Sequence, residues 1–380
     1  MNRISRAFVC TALCALLCLP AAGARAEELG SYGINIAFTP SSRTTRYRFE
    51  VFDPQLSSDQ PLASRELQAQ PDQSSVFLPF LYDPAREHDY TLRVTAYPLP
   101  GREGLDAPAS RTSAFTTGKT GVCGHTPAAG GFLAGDGSAA APYLVATPAQ
   151  FDHIKSHLTA HFIQCSDFDF DGKALASPSG TFSGVYDGDY HVVRNAKTSP
   201  SWMMEISGTV KNLGLENFTV SALNGYSSGV ITRHLTKGGL IENCYVSGCT
   251  VDSSLAAGLV GVLQAGATVR NCYSLGCTFR APTPDHSAGG IVGSCHGGTI
   301  SYCWSVPAAL SSPIQPGGIV GDEAFSGTVT DCYFLSNSAW NNGKGTALSD
   351  AQLKAASTYQ NWDTSVWEIA DGSYPALKGF

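Results

Sequence analysis

The sequence predicts an all-β protein in which an antiparallel β-sandwich precedes a stack of repeated β-coils. Three observations support this fold class. Short runs that alternate apolar and polar residues fill the first third of the chain, and a repeat of about 30 residues occupies its second half. The composition agrees, because 40 glycines and a charged fraction of only 14% favour strands joined by tight turns over helices.

Residues 1–26 have the pattern of a secretory signal peptide. Arg3 and Arg6 precede an apolar run from Ala7 to Leu19. The small-x-small cleavage site is Ala24-Arg25-Ala26. The apolar run is too short to span a membrane stably, and no other long apolar run follows it. We therefore expect an exported protein whose mature chain is not inserted in a membrane.

The net charge restricts which partners the protein can bind, and the number of cysteines restricts how they can pair. Without the signal peptide, 21 Lys and Arg remain against 31 Asp and Glu, a net charge of −10. Such a chain repels phosphate backbones, so we expect no nucleic-acid partner. Nine of the 12 cysteines remain, and export permits disulfides. Because nine is odd, at least one thiol stays free or pairs between chains.

Residues 27–118 are predicted to form the antiparallel β-sandwich. The runs RYRFEVF, SVFLPF and DYTLRVTAY alternate apolar and polar positions, and clusters of Pro, Asp, Ser and Gly separate them. The run YTLRVTAY resembles the penultimate strand of fibronectin type III domains, with Tyr90 at the place of the tyrosine corner. This resemblance implies a spacer or binding module. Residues 119–137, rich in Gly, Thr and Ala, are predicted to be a linker.

Residues 138–348 are predicted to form the β-coils, and a short helix lies at the start of this segment. In ATPAQFDHIKSHL, Thr147 is the expected N-cap and Pro148 occupies the first helical position. Residues 349–380 are predicted to close the array as a C-terminal cap. Within it, Ser349 and Gln352 have the spacing of a capping box.

Two markers define the repeats. The glycine anchors, at intervals of 29, 32 and 28 residues, are Gly229, Gly258, Gly290 and Gly318. Pairs of cysteine and an aromatic residue recur at intervals of 28, 31 and 29 residues, beginning at Cys244, Cys272, Cys303 and Cys332. A period of this size in β-type residues indicates stacked coils, each too small to bury its own core.

Strand alternation assigns an orientation to the side chains of each repeat. In TVRNCYS, Val269 and Cys272 are predicted to point inward on either side of a bend near Asn271. Tyr273 is predicted to point outward. The cysteines are then small apolar core residues, and we expect most thiols to be buried and free. A ladder of side-chain amides is predicted at one corner, formed by Asn212, Asn243 and Asn271.

The runs GLVG and GIVG followed by NCY resemble the GLUG-type repeats of bacterial surface and secreted proteins. The segments GDGSAAAPYLVATPAQFDHI, FSGVYDGDYHVV and WDTSVWEIADGSYPAL resemble the sequences that flank such repeats, so the resemblance covers about Gly131 to Phe380. It implies a right-handed parallel β-helix with repeats of about 28–32 residues. It also implies an adhesin-like role, with the protein periplasmic, secreted or attached to a bacterial cell surface.

Two short patterns suggest chemistry but have structural explanations. DFDFDG, residues 167–172, begins like a calcium loop, yet Pro178 stands where an EF-hand needs a bidentate glutamate. An EF-hand is therefore excluded, and a strand with solvated aspartates is the favoured explanation. Cys295 and His296 are adjacent, so on a strand their side chains face opposite ways and cannot form a nucleophile–base pair.

His153, His157 and His161 recur every four residues, a helical spacing that can gather a metal ion. The same spacing is typical of a solvated helix face, and no HExxH motif occurs in the chain. We favour the solvated face and predict no metal, no cofactor and no catalytic residue.

An outward-facing aromatic series is the candidate ligand-binding site. Its members share one register of the repeat: Tyr245, Tyr273, Trp304 and Tyr333. Coils lie about 4.8 Å apart, so such rings could form a platform for sugar rings. The alternative is that the rings shield one another or cover a loop.

The sequence therefore predicts a non-enzymatic, adhesin-like binding protein whose β-helix surface meets a glycan or a cell-surface protein. A polysaccharide lyase or hydrolase is the first alternative, because β-helices also host such enzymes. Those sites need clustered acids and bases, and the repeats carry almost no recurring charged residues. A passive spacer in a surface assembly is the second alternative. Binding to a glycan array distinguishes the first prediction from the spacer, and release of unsaturated sugars would indicate a lyase.

Overall fold

The computed structural model describes two compact units, Met1–His153 and Ile154–Phe380. The residues whose structure is described are 10–12, 31–38, 44–56, 59–70, 75–81, 88–98, 108–117, 122–125, 129–132, 135–314, 316–321 and 326–380. The predicted export signal, apart from residues 10–12, lies outside them.

Seven antiparallel strands lie in the described part of the first unit. They are β1 (Cys10–Ala12), β2 (Ser31–Ala37), β3 (Thr44–Phe52), β4 (Ala63–Gln68), β5 (Ser75–Leu81), β6 (His88–Pro98) and β7 (Ala109–Thr117). They form two sheets, of order β1-β2-β5 and β4-β3-β6-β7. The ring of Phe38, just after β2, packs 4.9 Å from that of Tyr47 and 5.3 Å from that of Phe49 in β3. The predicted antiparallel N-terminal structure is confirmed.

The first unit ends with the helix that the sequence predicts. Strand β8 (Tyr143–Val145) leads into α1 (Pro148–His153), and a 3₁₀ turn (Ile154–Ser156) continues it. The Thr147 hydroxyl accepts a hydrogen bond from the Gln150 backbone N–H at 3.2 Å, so Thr147 is the N-cap as expected.

The second unit is a parallel β-solenoid of about 6 turns. We call its three sheets I, II and III. Sheet I contains β9 (His161–Gln164), β10 (Phe168–Asp169), β13 (Val185–Arg194), β16 (Thr209–Glu216), β19 (Leu240–Glu242), β20 (Tyr245–Ser247), β23 (Thr268–Arg270), β24 (Tyr273–Leu275), β28 (Thr299–Ser301), β29 (Trp304–Val306), β31 (Thr328–Thr330), β32 (Tyr333–Leu335) and β33 (Thr346–Leu348).

Sheets II and III complete each coil. Sheet II contains β11 (Ala174–Ala176), β14 (Lys197–Ser199), β17 (Thr219–Ser228), β21 (Thr250–Ala257), β25 (Thr278–Arg280), β26 (Ala288–Gly289) and β30 (Ala309–Ser311). Sheet III contains β12 (Thr181–Phe182), β15 (Met203–Ile206), β18 (Thr232–Leu235), β22 (Val260–Gln264) and β27 (Val292–His296). Each strand pairs in parallel with its counterpart one coil away, which confirms the predicted stack of β-coils.

The predicted inward and outward pattern is confirmed. Val269 and Cys272 are fully buried, whereas Arg270 between them is exposed. The repeat cysteines line the core one per coil and are buried, namely Cys244, Cys272, Cys303 and Cys332. The seven buried cysteines of the described solenoid residues are free thiols.

The glycine anchors allow neighbouring coils to approach closely. A Cβ atom at Gly290 would collide with the backbone oxygen of Gly318 one coil further on. Any other residue would therefore force the coils apart at this point. The repeated glycine is an architectural requirement of the stack.

The chain ends in a capped, largely irregular segment. Ser349 and Gln352 form the predicted capping box at α2 (Asp350–Leu353). A 3₁₀ turn (Ala356–Tyr359) follows, and β34 (Trp367–Glu368) pairs with β35 (Ala376–Leu377) in antiparallel fashion. We call residues 349–380 the C-terminal segment.

Candidate functional site

The four predicted outward aromatic residues lie in one row on sheet I. Strand pairing places Tyr245 opposite Tyr273, Tyr273 opposite Trp304, and Trp304 opposite Tyr333. The first three rings stack in parallel, with centroids 4.9 Å and 4.6 Å apart and interplanar angles of 4° and 6°. We call these four residues the aromatic stack, and its register agrees with the sequence analysis.

The aromatic stack faces outward from the coil but is covered. Trp304 is 1% exposed and Tyr245 6% exposed. The ring of Tyr374 stacks 5.2 Å from that of Trp304, and the rings of Phe380 and Tyr245 meet edge to face with their centroids 4.9 Å apart. The rings are therefore not an open platform. They stack on one another, as the alternative has it, and they also pack against residues of the C-terminal segment.

The C-terminal segment supplies the cover because its own apolar residues need a surface to pack on. Tyr359, Trp362, Trp367 and Leu377 form one buried cluster with Trp304. Burying large aromatic side chains is among the strongest sources of packing free energy. A sugar ring can reach the stack only after this segment leaves, so the ligand-binding role of these four residues stays a prediction.

A series of polar contacts continues from the Tyr245 end of the aromatic stack. The Tyr245 hydroxyl donates to Glu216 Oε1 at 2.8 Å, and Arg194 Nε donates to Glu216 Oε2 at 2.8 Å. Arg194 also donates to Asp167 Oδ2 at 3.0 Å, and His191 Nδ1 lies 3.0 Å from Asp167 Oδ1. Acids and bases thus meet here, although sequence reasoning did not find the group because its charged members lie before the clear repeats.

The environment of Asp167 determines what this group can do. Burial disfavours its ionised form, but hydrogen bonds from His191, the Val192 backbone N–H and Arg194 outweigh that effect and lower its pKa to about 2. Burial and the hydrogen bond to Glu216 raise the pKa of Tyr245. Asp167 is therefore an ionised acceptor at neutral pH, unlike a catalytic acid, which needs a raised pKa.

Sheet II presents an exposed row of hydroxyl groups. Thr219 pairs with Thr250, and Thr250 with Thr278, on successive coils. Thr219 and Thr250 are exposed, and Thr278 is half-buried. Two positions further along the same strands, Asp252 and Arg280 form an ion pair between neighbouring coils. We call the outer surface of β17, β21 and β25 the hydroxyl face.

Of the three histidines singled out as metal candidates, two belong to a cluster of metal-binding side chains and one does not. His153 and His157 join Cys123 and His125, and the ligand atoms of these four residues lie within 4.8 Å of one another. We call them the Cys–His cluster. His161 is not a member and begins β9. Sequence reasoning missed Cys123 and His125 because they precede the helix by about 25 residues, in a predicted linker.

The other two patterns behave as the sequence analysis favoured. In DFDFDG, Phe168 is buried and Asp169 and Asp171 are exposed, as favoured, whereas Asp167 is half-buried and accepts hydrogen bonds from the neighbouring strand β13. Among the described residues, this stretch does not gather metal-binding atoms as the Cys–His cluster does. Cys295 is buried and His296 is exposed, so the two side chains lie on opposite sides of β27.

No helix in the described part of the chain is long and apolar enough to cross a membrane. Comparison of the sequence with protein-family models and with curated proteins found no match.

Proposed function

We propose that this protein is an exported, non-enzymatic, adhesin-like binding protein whose β-solenoid presents the hydroxyl face to an extended glycan. A cell-surface protein is the alternative partner. The resemblance to GLUG-type repeats, the signal-peptide pattern and the fibronectin-like strand support this proposal. The observation that carries it is the in-register row of Thr219, Thr250 and Thr278 on an exposed parallel sheet.

The spacing of this row suits a polymeric ligand. Parallel coils repeat about every 4.8 Å, close to the length of one sugar unit in an extended chain. Threonine hydroxyls both donate and accept hydrogen bonds, as sugar hydroxyls do. The neighbouring pair of Asp252 and Arg280 adds charged hydrogen-bonding groups beside the row. A regular ligand can therefore repeat the same contacts on successive coils.

The known chemistry of glycan cleavage does not favour an enzyme here. Hydrolases use a protonated carboxylic acid with a raised pKa beside a second carboxylate. The lowered pKa of Asp167 is the opposite shift, and its oxygens already accept hydrogen bonds from His191 and Arg194. This supports a binding function for the solenoid.

The test is glycan-array binding by the wild type and two matched variants. Thr250→Arg places a long charged side chain in the middle of the hydroxyl face, and Thr299→Arg makes the same change at an exposed strand position of sheet I. We expect Thr250→Arg to weaken binding at least about tenfold, equivalent to about 1.4 kcal/mol, and Thr299→Arg to have little effect.

Two results would contradict the proposal. Failure of the wild type to bind any glycan would remove the glycan partner, and a cell-surface protein would then be tested on the same variants. Equal effects of the two variants would show that the hydroxyl face is not the binding surface. Circular dichroism of both variants checks that the solenoid is intact.

A further inference from the structure

Four side chains with metal-binding atoms meet beside helix α1. They are the members of the Cys–His cluster, Cys123, His125, His153 and His157. We propose that this cluster binds one zinc ion through four protein ligands, one thiolate and three imidazoles. The inference is independent of the proposed glycan binding, because it rests on different residues.

The distances within the cluster suit a tetrahedral ion. Zinc–sulfur and zinc–nitrogen bonds of about 2.3 and 2.0 Å separate neighbouring S and N ligands of a tetrahedron by roughly 3.5 Å. Cys123 Sγ lies 3.8 Å from His153 Nε2, close to that value. The rings of His125 and His153 are 4.6 Å apart and inclined by 68°, so they meet edge to face. All four ligand atoms lie within 4.8 Å of one another, so binding would require only a small contraction of the cluster.

Local backbone geometry holds the two helical ligands together. His153 is the last residue of α1, and His157 follows one turn later. The His157 backbone N–H donates to the Ile154 carbonyl at 2.9 Å, so the turn continues through this residue. In this structure the turn brings the ligand atoms of His153 and His157 within 4.8 Å of each other. The two histidines are separated by three residues, a spacing that also occurs in many zinc sites.

A tight turn supplies the other two ligands. Cys123 and His125 flank Gly124, whose φ of 81° is strained for any residue with a side chain. Gly130, further along the chain, lies close to the helix, because a Cβ atom there would collide with the backbone of Ala149. The ligands thus come from a short turn and one helical segment, neither of which belongs to the repeats.

The surroundings of the thiol favour metal binding. The Phe132 backbone N–H donates to Cys123 Sγ at 3.3 Å, a contact that stabilises a thiolate. The Phe132 ring lies 5.3 Å from the His153 ring and stacks on Tyr143 at 4.7 Å. An apolar wall on one side and a hydrogen bond to sulfur are common features around bound zinc ions.

The ligand types indicate which metal binds. Calcium and magnesium prefer oxygen ligands, which the cluster does not offer. One thiolate with three imidazoles suits zinc, a borderline-soft ion. Four protein ligands fill a tetrahedral shell, so the expected site is structural. The ion would tie the turn at Cys123 to the helical segment at His153.

The first experiment measures zinc and cobalt binding by the purified, tag-free protein. We expect one zinc ion per chain by elemental mass spectrometry after dialysis. Cobalt should give intense visible absorption typical of a tetrahedral site and a near-ultraviolet band from sulfur ligation. Less than half an equivalent of zinc, or a weak octahedral cobalt spectrum, would overturn the proposal. Tighter binding of copper with no retained zinc would overturn the choice of metal.

The second experiment uses matched variants and competition with a chromogenic chelator. Cys123→Ser and His157→Gln should each weaken zinc affinity at least about tenfold. The controls are Cys165→Ser and His161→Gln, which change the same residue types outside the cluster. Equal losses in the controls would contradict the site. If a ligand variant does not fold, the cobalt spectrum of the wild type still decides the question.

Discussion

At each corner of sheet I, one residue has a left-handed backbone conformation. Asn212, Asn243 and Asn271 have φ values of 53°, 52° and 52°, a region that asparagine tolerates better than most residues with a side chain. Their amides form the predicted ladder, with Asn243 donating to Asn212 at 3.0 Å and Asn271 donating to Asn243 at 3.2 Å. Tyr302 and Asp331 keep the same conformation without continuing the ladder, so the corner depends on the backbone more than on the amides.

The repeat cysteines give a prediction at the same scale. Cys272 is fully buried, and its Sγ donates to the Arg270 carbonyl at 3.0 Å. Cys272→Ser places a hydroxyl among sulfur neighbours, so we expect the free energy of unfolding to fall by about 1–3 kcal/mol. Cys272→Ala should cost less, because it buries no hydroxyl. Urea denaturation measures both.

A control for this series is Cys165→Ser. Cys165 is half-buried and lies outside the cysteine row of the solenoid, so we expect a change within about 0.5 kcal/mol. If Cys272→Ser were tolerated as well as Cys165→Ser, burial of the repeat cysteines would not be what stabilises the core.

At the scale of elements, periodic features were predictable and the cover of the aromatic stack was not. Alternation and a 28–32-residue period are enough to place Tyr273 and Trp304 in one outward row. The C-terminal segment has a recognisable start, the capping box at Ser349, but its aromatic residues follow no period. Nothing local therefore indicates that Tyr374 packs on Trp304, 70 residues earlier in the chain.

The covered stack predicts a stability effect for Trp304. Trp304→Ala removes a side chain that is 1% exposed and packs against Tyr273 and Tyr374. We expect the free energy of unfolding to fall by about 3–5 kcal/mol, because a large cavity opens under the C-terminal segment. Chemical denaturation followed by tryptophan fluorescence and circular dichroism measures the change.

Tyr226→Ala is the matched control, because Tyr226 is 39% exposed. It should change stability by less than about 0.5 kcal/mol. Loss of glycan binding by Trp304→Ala with unchanged stability would show instead that the aromatic stack is the ligand site and that the C-terminal segment opens readily.

At the scale of the whole molecule, the succession of an antiparallel unit and a parallel solenoid was predictable from residue patterns. Only two ligands of the Cys–His cluster, His153 and His157, were singled out in the sequence, and their spacing indicates a helix face and nothing more. Its other ligands, Cys123 and His125, lie in a glycine-rich stretch whose path the sequence pattern does not define. Sites built from distant segments depend on tertiary contacts, which residue periodicity does not encode.

Export and a set of free thiols together give the last prediction. Disulfides form readily in exported proteins, yet the seven buried cysteines of the described residues are free. Thiolates are the reactive species, and burial raises the pKa of Cys272 and Cys332, so these thiols resist oxidation. We expect the exported protein to begin at Glu27 and to keep its buried thiols reduced.

Mass spectrometry and thiol titration of the exported protein test this directly. Seven of the nine thiols are buried, whereas Cys123 and Cys165 are half-buried. The folded protein should therefore react at no more than two thiols, and after denaturation without a reductant it should react at nine. A retained Met1 would contradict export by the signal peptide. Loss of two reactive thiols with the mass of one disulfide would show that a pair oxidises despite its burial. Zinc bound at Cys123 would lower the folded count to one, at Cys165, because a ligated thiolate is shielded from the reagent.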